Sequence, residues 1–334
     1  MKHTIRSQRH WLFQSCFLLA GTLFFCSLPD YPQSLQSSPY MPAAASQSPI
    51  SVKAELVMLP VRVTDANGSF VSGLRQQDFQ VYEDKQLQKV TVFQQGDTPV
   101  SVGLVVDHST SMGLKLPDVI IAVSSFAHSS NPQDEMFVVD FNDDVSVELL
   151  GGKPFTHDSK ELERAIRAVS ARGRTALYDA VAEGLLHLQL AHWNKRALII
   201  VSDGGDNASH LKYSQILALA RRSQVLIYSI VLAGDGQEED PSVLQRLSKD
   251  TGGIAYFPHE GESVATISTE IARDLREQYT LGYAPQNTKR ADAFRKLEVK
   301  VTAQGHGKLR VRTRHGYSPA AERQPIAQLG SGAR

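Results

Sequence analysis

The chain has 334 residues, too many for one ordinary core and about right for two domains of roughly 150 residues each. Hydrophobic residues make up 42% and charged residues 21%, the balance of a soluble globular protein. Lys plus Arg equals Asp plus Glu at 35 each, so there is no global electrostatic footprint for a phosphate backbone and no nucleic-acid partner is expected.

In residues 1–28, Lys2, Arg6 and Arg9 precede an apolar run from Trp11 to about Leu28, broken by Gln14 and Ser15. A basic start before a short apolar stretch predicts an export signal or an N-terminal membrane anchor. The run is near the lower limit for a span, which needs about 17–25 residues. The expected location is therefore outside the cytoplasm: secreted, periplasmic, or anchored on the outer side of the cytoplasmic membrane. Cys16 and Cys26 both lie in this segment, so the domains after it have neither a disulfide nor a thiolate metal site. Leu23-Phe24-Phe25 lacks the small residues that lipid attachment at Cys26 would require. Residues 29–50, rich in Pro, Ser, Gln and Ala, predict a linker.

Residues 51–98 carry strand signals. Val57, Leu59, Val61 and Val63 alternate with Met58, Pro60 and Arg62, and Asp65-Ala66-Asn67-Gly68 supplies a turn. Phe79 to Tyr82 and Val90 to Phe93 continue the pattern around a turn at Glu83-Asp84-Lys85. Residues 99–276 then alternate strand with helix. Apolar strands are predicted at Val102 to Val106, Met136 to Asp140, Ala197 to Val201, Val225 to Leu232 and Ile254 to Phe257, with a hairpin partner at Val145 to Leu150. Helices are predicted at Leu116 to His128, Leu162 to Val169, Leu177 to Leu190, Ile216 to Ala220, Val243 to Leu247 and Ser263 to Leu275. This rhythm predicts a doubly wound, mostly parallel α/β sheet covered on both faces. Residues 277–318 return to strands at Tyr279 to Tyr283, Arg295 to Thr302 and Lys308 to Thr313. The α/β domain is thus expected to be inserted into a small β-sandwich-like domain, with a flexible tail over 319–334.

Ligands of an open parallel sheet sit at the carboxyl ends of its strands. The first such end reads Asp107-His108-Ser109-Thr110-Ser111, and the central one Ser202-Asp203-Gly204-Gly205-Asp206. Between them, before a helix, stands Arg172-Gly173-Arg174-Thr175. Asp107 and Asp203 offer carboxylates, and Ser109, Ser111 and Thr175 offer hydroxyls. These are hard oxygen donors of the kind that suit Mg²⁺ or Mn²⁺. An ion with one or two direct carboxylates stays electrophilic enough to gain from a partner's Asp or Glu.

Asp107-x-Ser109-x-Ser111 with Thr175 and Asp203 resembles the metal-ion-dependent adhesion site (MIDAS) of the von Willebrand factor type A family, over about Val100 to Leu275. The resemblance implies a Rossmann-like fold, these five residues as metal ligands, and a protein-binding role in adhesion or assembly rather than catalysis. Residues 78–84 and 279–283 resemble a bacterial subgroup of exported proteins carrying this domain. Thr110 departs from the Gly common in bacterial members, which should narrow loop flexibility.

Alternatives attach to each residue. Ser111 or Thr175 alone reads as a helix cap, and Asp203-Gly204-Gly205 alone as a turn. Asp206 reads as loop, Asp179 as a helix-stabilising acid, His108 as solvated surface, and Asp143-Asp144 as a hairpin turn. A metal-assisted hydrolase using the same ion is the competing function, and a structural envelope protein a third. Against a hydrolase, the sequence shows no general base beside the ligands, no Gly-x-Ser-x-Gly and no His-Glu-x-x-His.

Overall fold

The structure is a computed structural model that describes residues 56–147, 149–232, 240–259, 262–286 and 293–319. The predicted export segment, the linker and nearly all of the predicted tail lie outside the described residues. Strand β1 (Val57–Thr64) buries alternate residues, so Val57, Leu59, Val61 and Val63 face inward. It is followed by β2 (Phe79–Glu83), β3 (Gln86–Gln88) and β4 (Val90–Gln95). After the α/β segment come β11 (Tyr279–Tyr283), β12 (Arg295–Val301), β13 (Arg310–Arg312) and β14 (Gly316–Tyr317), numbered to follow the strands of that segment.

These eight strands form two four-stranded sheets, β13-β1-β11-β4 and β14-β12-β2-β3. Every pairing in them is antiparallel and most join one side of the insertion to the other. Tyr279, Leu281 and Tyr283 pack with Leu59, Val61, Phe79 and Val81 in one core, so neither half buries its apolar face alone. Buried Glu83 ties the two sheets together. Its carboxylate accepts from Tyr283 Oη (2.6 Å), Tyr317 Oη (2.8 Å) and Arg295 (2.9 Å).

The inserted segment runs β5 (Ser101–Asp107), α1 (Leu116–Ser129), β6 (Glu135–Phe141), β7 (Val145–Val147), α2 (Ser159–Arg167), α3 (Leu177–His187), β8 (Arg196–Ser202), α4 (Tyr213–Ser223), β9 (Leu226–Val231), α5 (Pro241–Thr251), β10 (Ala255–Tyr256) and α6 (Val264–Arg276). Its sheet has the order β10-β9-β8-β5-β6-β7, parallel except for β7. Central strands buried on both faces need apolar residues throughout, which is why β5, β6 and β8 read as unbroken hydrophobic runs. One face packs Val102, Leu104, Val106 and Ile199 against α1, α2 and α6. The other packs Val105, Phe137, Leu198 and Ile200 against α3, α4 and α5. This is the Rossmann-like architecture expected from the sequence. Helix α6 meets the β-domain through Asp274, whose carboxylate pairs with Arg62 (2.9 Å) and Arg312 and accepts from Tyr228 Oη.

Candidate functional site

The sheet register sets the site. Val106 pairs with Val201, so the next residues, Asp107 and Ser202, lie side by side at the carboxyl edge. Asp107 is fully buried. Its Oδ2 accepts from Ser202 Oγ (2.6 Å) and its Oδ1 from the Ser109 amide (2.9 Å). Ser109 Oγ lies 3.1 Å from Ser111 Oγ, so the two hydroxyls spaced two apart converge. Ser109 is buried and Ser111 exposed, giving the pair one inner and one outer member. The loop then tightens into a single 3-10 turn, Thr110–Met112, anchored by fully buried Met112.

The loop ahead of α3 is stitched onto this one. The Arg172 amide donates to His108 O (2.9 Å), and the Thr110 amide and hydroxyl both donate to Gly173 O (3.2 and 2.9 Å). The Thr110 hydroxyl thus adds a tie that a glycine at this position would lack. Gly173 has φ +71°, and a Cβ there would fall 1.8 Å from Asp143 Oδ2. That carboxylate accepts from the Arg174 amide (2.9 Å) while its other oxygen takes Arg174 Nε (2.9 Å), and these bonds hold its pKa below the ordinary range. Thr175 is buried, and its backbone is clamped by the third loop. Its amide donates to Asn207 Oδ1 (2.8 Å), and its carbonyl accepts from the amides of Asn207 (2.9 Å) and Ala208 (3.0 Å).

Asp203, only 1% exposed, begins that third loop. Its Oδ1 accepts from the Gly205 amide at 3.2 Å. Its Oδ2 is buried and accepts no hydrogen bond among the described residues; Lys115 Nζ faces it at 3.6 Å. The hydrogen-bonded loops therefore bring the five sequence-predicted residues to one edge of the sheet.

The donor set can be tested against a divalent ion. Burial pushes the Asp107 carboxyl up to about 6, the hydrogen bonds from Ser109 and Ser202 pull it back, and neighbouring Asp203 adds to the rise. Two buried carboxylates in one place, one with an unsatisfied oxygen, are costly unless a cation joins them. Among the described residues no cluster of three or more His, Cys, Asp or Glu exists that could hold a metal. The candidate site has only two carboxylates, so hydroxyls and water would have to supply the remaining oxygens, as a hard ion accepts. The residues fit Mg²⁺ or Mn²⁺ on that chemistry.

Several neighbours take other roles. His108 is 1% exposed, not solvated surface, and its Nδ1 lies against Asp140 Oδ1. The strand β5 extends one residue beyond the apolar run, and the loop turns back into the protein. Asp206 Oδ1 accepts from the Tyr178 amide (3.1 Å) and Ser209 Oγ (2.5 Å), fastening the third loop to the start of α3. Asp179 caps the segment ahead of α4, accepting from the amides of His210 (2.8 Å) and Leu211 (2.9 Å). Asp143 and Asp144 lie between β6 and β7, as a hairpin requires. Sequence reasoning missed Ser202, Asn207 and Lys115. Ser202 carried a usable signal, since a hydroxyl ending an apolar strand beside Asp203 must face one side of the same edge.

Residues 102–205 match the family model for the von Willebrand factor type A domain. In an alignment 201 residues long that covers 54% of this chain, the chain is 26% identical to inter-alpha-trypsin inhibitor heavy chain H2 of Homo sapiens, and 28% identical to that of Mesocricetus auratus over the same alignment length and coverage. It covers 21% of each, so the chain spans about a fifth of the length of the curated relatives it matches. Among solved structures, a von Willebrand factor type A protein from Catenulispora acidiphila aligns over 72% of this chain and 74% of its own, with 12% identity and a TM-score of 0.48. An aerotolerance-related membrane protein from Bacteroides fragilis NCTC 9343, carrying multiple mutations to serines, aligns over 53% of this chain and 98% of its own, with 14% identity and a TM-score of 0.42. The inserted segment thus has a parallel sheet wound on both faces, and the stretch from its first strand to its third loop is similar to the von Willebrand factor type A domain.

Proposed function

We propose that this protein is a metal-dependent binding module acting outside the cytoplasm, in which Asp107, Ser109, Ser111, Thr175 and Asp203 hold Mg²⁺ or Mn²⁺ and a partner protein presents an Asp or Glu to the ion. Domains of this type generally serve as protein-interaction or adhesion modules. The observation that carries the reading is the buried, unsatisfied Asp203 Oδ2 beside buried Asp107, on loops hydrogen-bonded into one edge. When bound, the ion supplies a hard electrophilic centre for an incoming carboxylate. The protein's part is to orient the oxygens, through Ser202 at Asp107 and Asn207 at Thr175, and to fix the loops before a partner arrives.

The reading is of binding without turnover. His108, the imidazole adjoining Asp107, is buried against Asp140. The extracytoplasmic setting is supported by the basic-then-apolar residues 1–28; among the described residues no helix is long and apolar enough to cross a membrane. The test is retention of immobilised full chain on surface extracts of its own host with Mg²⁺, with chelator, and as Asp107→Ala. Specific binding that requires both the ion and Asp107 is expected. Equal binding by the variant or in chelator would refute the proposal.

A further inference from the structure

Between the β-domain and the α/β domain lies a cleft of about 470 Å³, a size that suits a small ligand. Strand register builds one wall of it. Arg62 on β1 stands directly opposite Arg312 on β13, and Thr64 opposite Arg310. All four side chains therefore share the face of β1 that does not pack into the β-domain core. Like charges directly opposite each other repel, and α6 answers with buried Asp274, which pairs with both Arg62 and Arg312. Glu277 adds a second acid to Arg62 at 3.2 Å, and Arg312 also donates to Gly252 O. These two guanidiniums are thereby fixed in the wall. The other two differ. Arg310, and Arg273 from α6, line the same cleft and are exposed. Among the described residues neither side chain has an ion pair or a hydrogen bond.

We infer that this cleft binds a compact anionic ligand, with an oxyanion head between Arg273 and Arg310 and an apolar body against Ile254, Tyr256 and Val311. A guanidinium presents a planar fork of donors that matches the oxygens of a phosphate or a carboxylate. Four arginines meet three acids here, counting the lining residues together with Glu277, so the cleft keeps one excess positive charge. Ile254, Tyr256 and Val311 are half-buried, which leaves apolar surface for the ligand to cover. Glu270, exposed in the same cleft, opposes an anion and holds its affinity down. The inference is independent of the metal reading above, because none of the five residues at the sheet edge lines this cleft.

The experiment is calorimetric titration of phenyl phosphate, and separately of benzoate, into full chain held in chelator. The proteins are wild type, Arg273→Gln, Arg310→Gln, the double variant, Glu270→Gln and Asp107→Ala. Saturable binding at one site is expected in wild type, weakened about fivefold by either single arginine substitution and further by both. Glu270→Gln is expected to bind more tightly than wild type, and Asp107→Ala equally. Whichever of the two probes binds more tightly identifies the head group as phosphate or carboxylate. Inorganic phosphate is expected to bind more weakly than phenyl phosphate, because it leaves the apolar lining uncovered; equal binding would overturn the apolar half of the inference. Absence of saturable binding by both probes would overturn the whole. So would unchanged affinity in a double variant that keeps wild-type far-UV dichroism.

Discussion

Asp107 shows how far one residue can be out of balance in the protein by itself. Its carboxyl is raised from the ordinary 3.8 to about 6 because burial outweighs the hydrogen bonds from Ser109 and Ser202. A pKa raised on folding gives stability that is complete below the unfolded value and lost as pH climbs through the folded one. Chelator-treated protein should therefore lose on the order of 3 kcal/mol through this group between about pH 4 and pH 7. Asp107→Asn should remove that part of the pH dependence and stabilise the chelated protein at pH 7, as read by urea unfolding at several pH values. A variant as pH-sensitive as wild type would show that Asp107 is not strained. Asp107, Ser109, Ser111, Thr175 and Asp203 were nameable from sequence because their spacing joins three strand or helix ends. Lys115 was not, since a lysine before a helix has an ordinary local explanation. The reading of His108 as solvated failed because alternation along an extended segment does not survive the turn into the 3-10 loop.

At the scale of elements, the members of the α/β segment were legible down to the short strands β7 and β10, whereas the shortest strands of the β-domain were not. Unbroken apolar runs marked β5, β6 and β8, and 3.6-residue spacing marked α1 and α6 within a residue or two of their ends. Helix α4 proved longer than the apolar stretch Ile216 to Ala220, because its ends are polar and face outward. Strands β3 and β14, of three and two residues, hold no periodicity long enough to recognise. Asp84 and Lys85 both adopt positive φ, at 47° and 70°, so the predicted turn closes a tight β2–β3 hairpin. The loop carrying Thr175 depends on Gly173 for both its positive φ and the space filled by Asp143. Gly173→Ala should cost about 1–3 kcal/mol of stability and weaken Mg²⁺ binding, whereas an exposed substitution such as Arg167→Ala should do neither. Unchanged metal affinity in Gly173→Ala would mean that the loop's conformation does not set the site.

For the whole molecule, insertion means that the β-domain cannot close until both of its halves are made. Strands β1 and β11 pair directly, β2 pairs with β12, and Glu83 receives hydrogen bonds from Tyr283, Arg295 and Tyr317 of the other half. Glu83→Ala would leave Arg295 buried without its carboxylate and should destabilise the chain by about 3–5 kcal/mol, as read by denaturant unfolding, with Mg²⁺ affinity of the folded fraction unchanged. A loss under about 1 kcal/mol would place the junction's strength in apolar packing instead. The sequence pattern of strands, then alternating strands and helices, then strands again made the inserted architecture readable, because each change of period marks a change of layer. Which strands pair across the insertion was not readable, because the partners are about 200 residues apart and nothing local encodes the match.

The central claim, a divalent-ion site at the carboxyl edge of the parallel sheet, is tested most directly by calorimetric titration of Mg²⁺ into chelator-stripped full chain beside its Asp107→Ala variant. Saturable binding of one ion per chain, abolished in a variant that keeps wild-type far-UV dichroism, is the predicted result. Binding of equal affinity and stoichiometry in both proteins would contradict it.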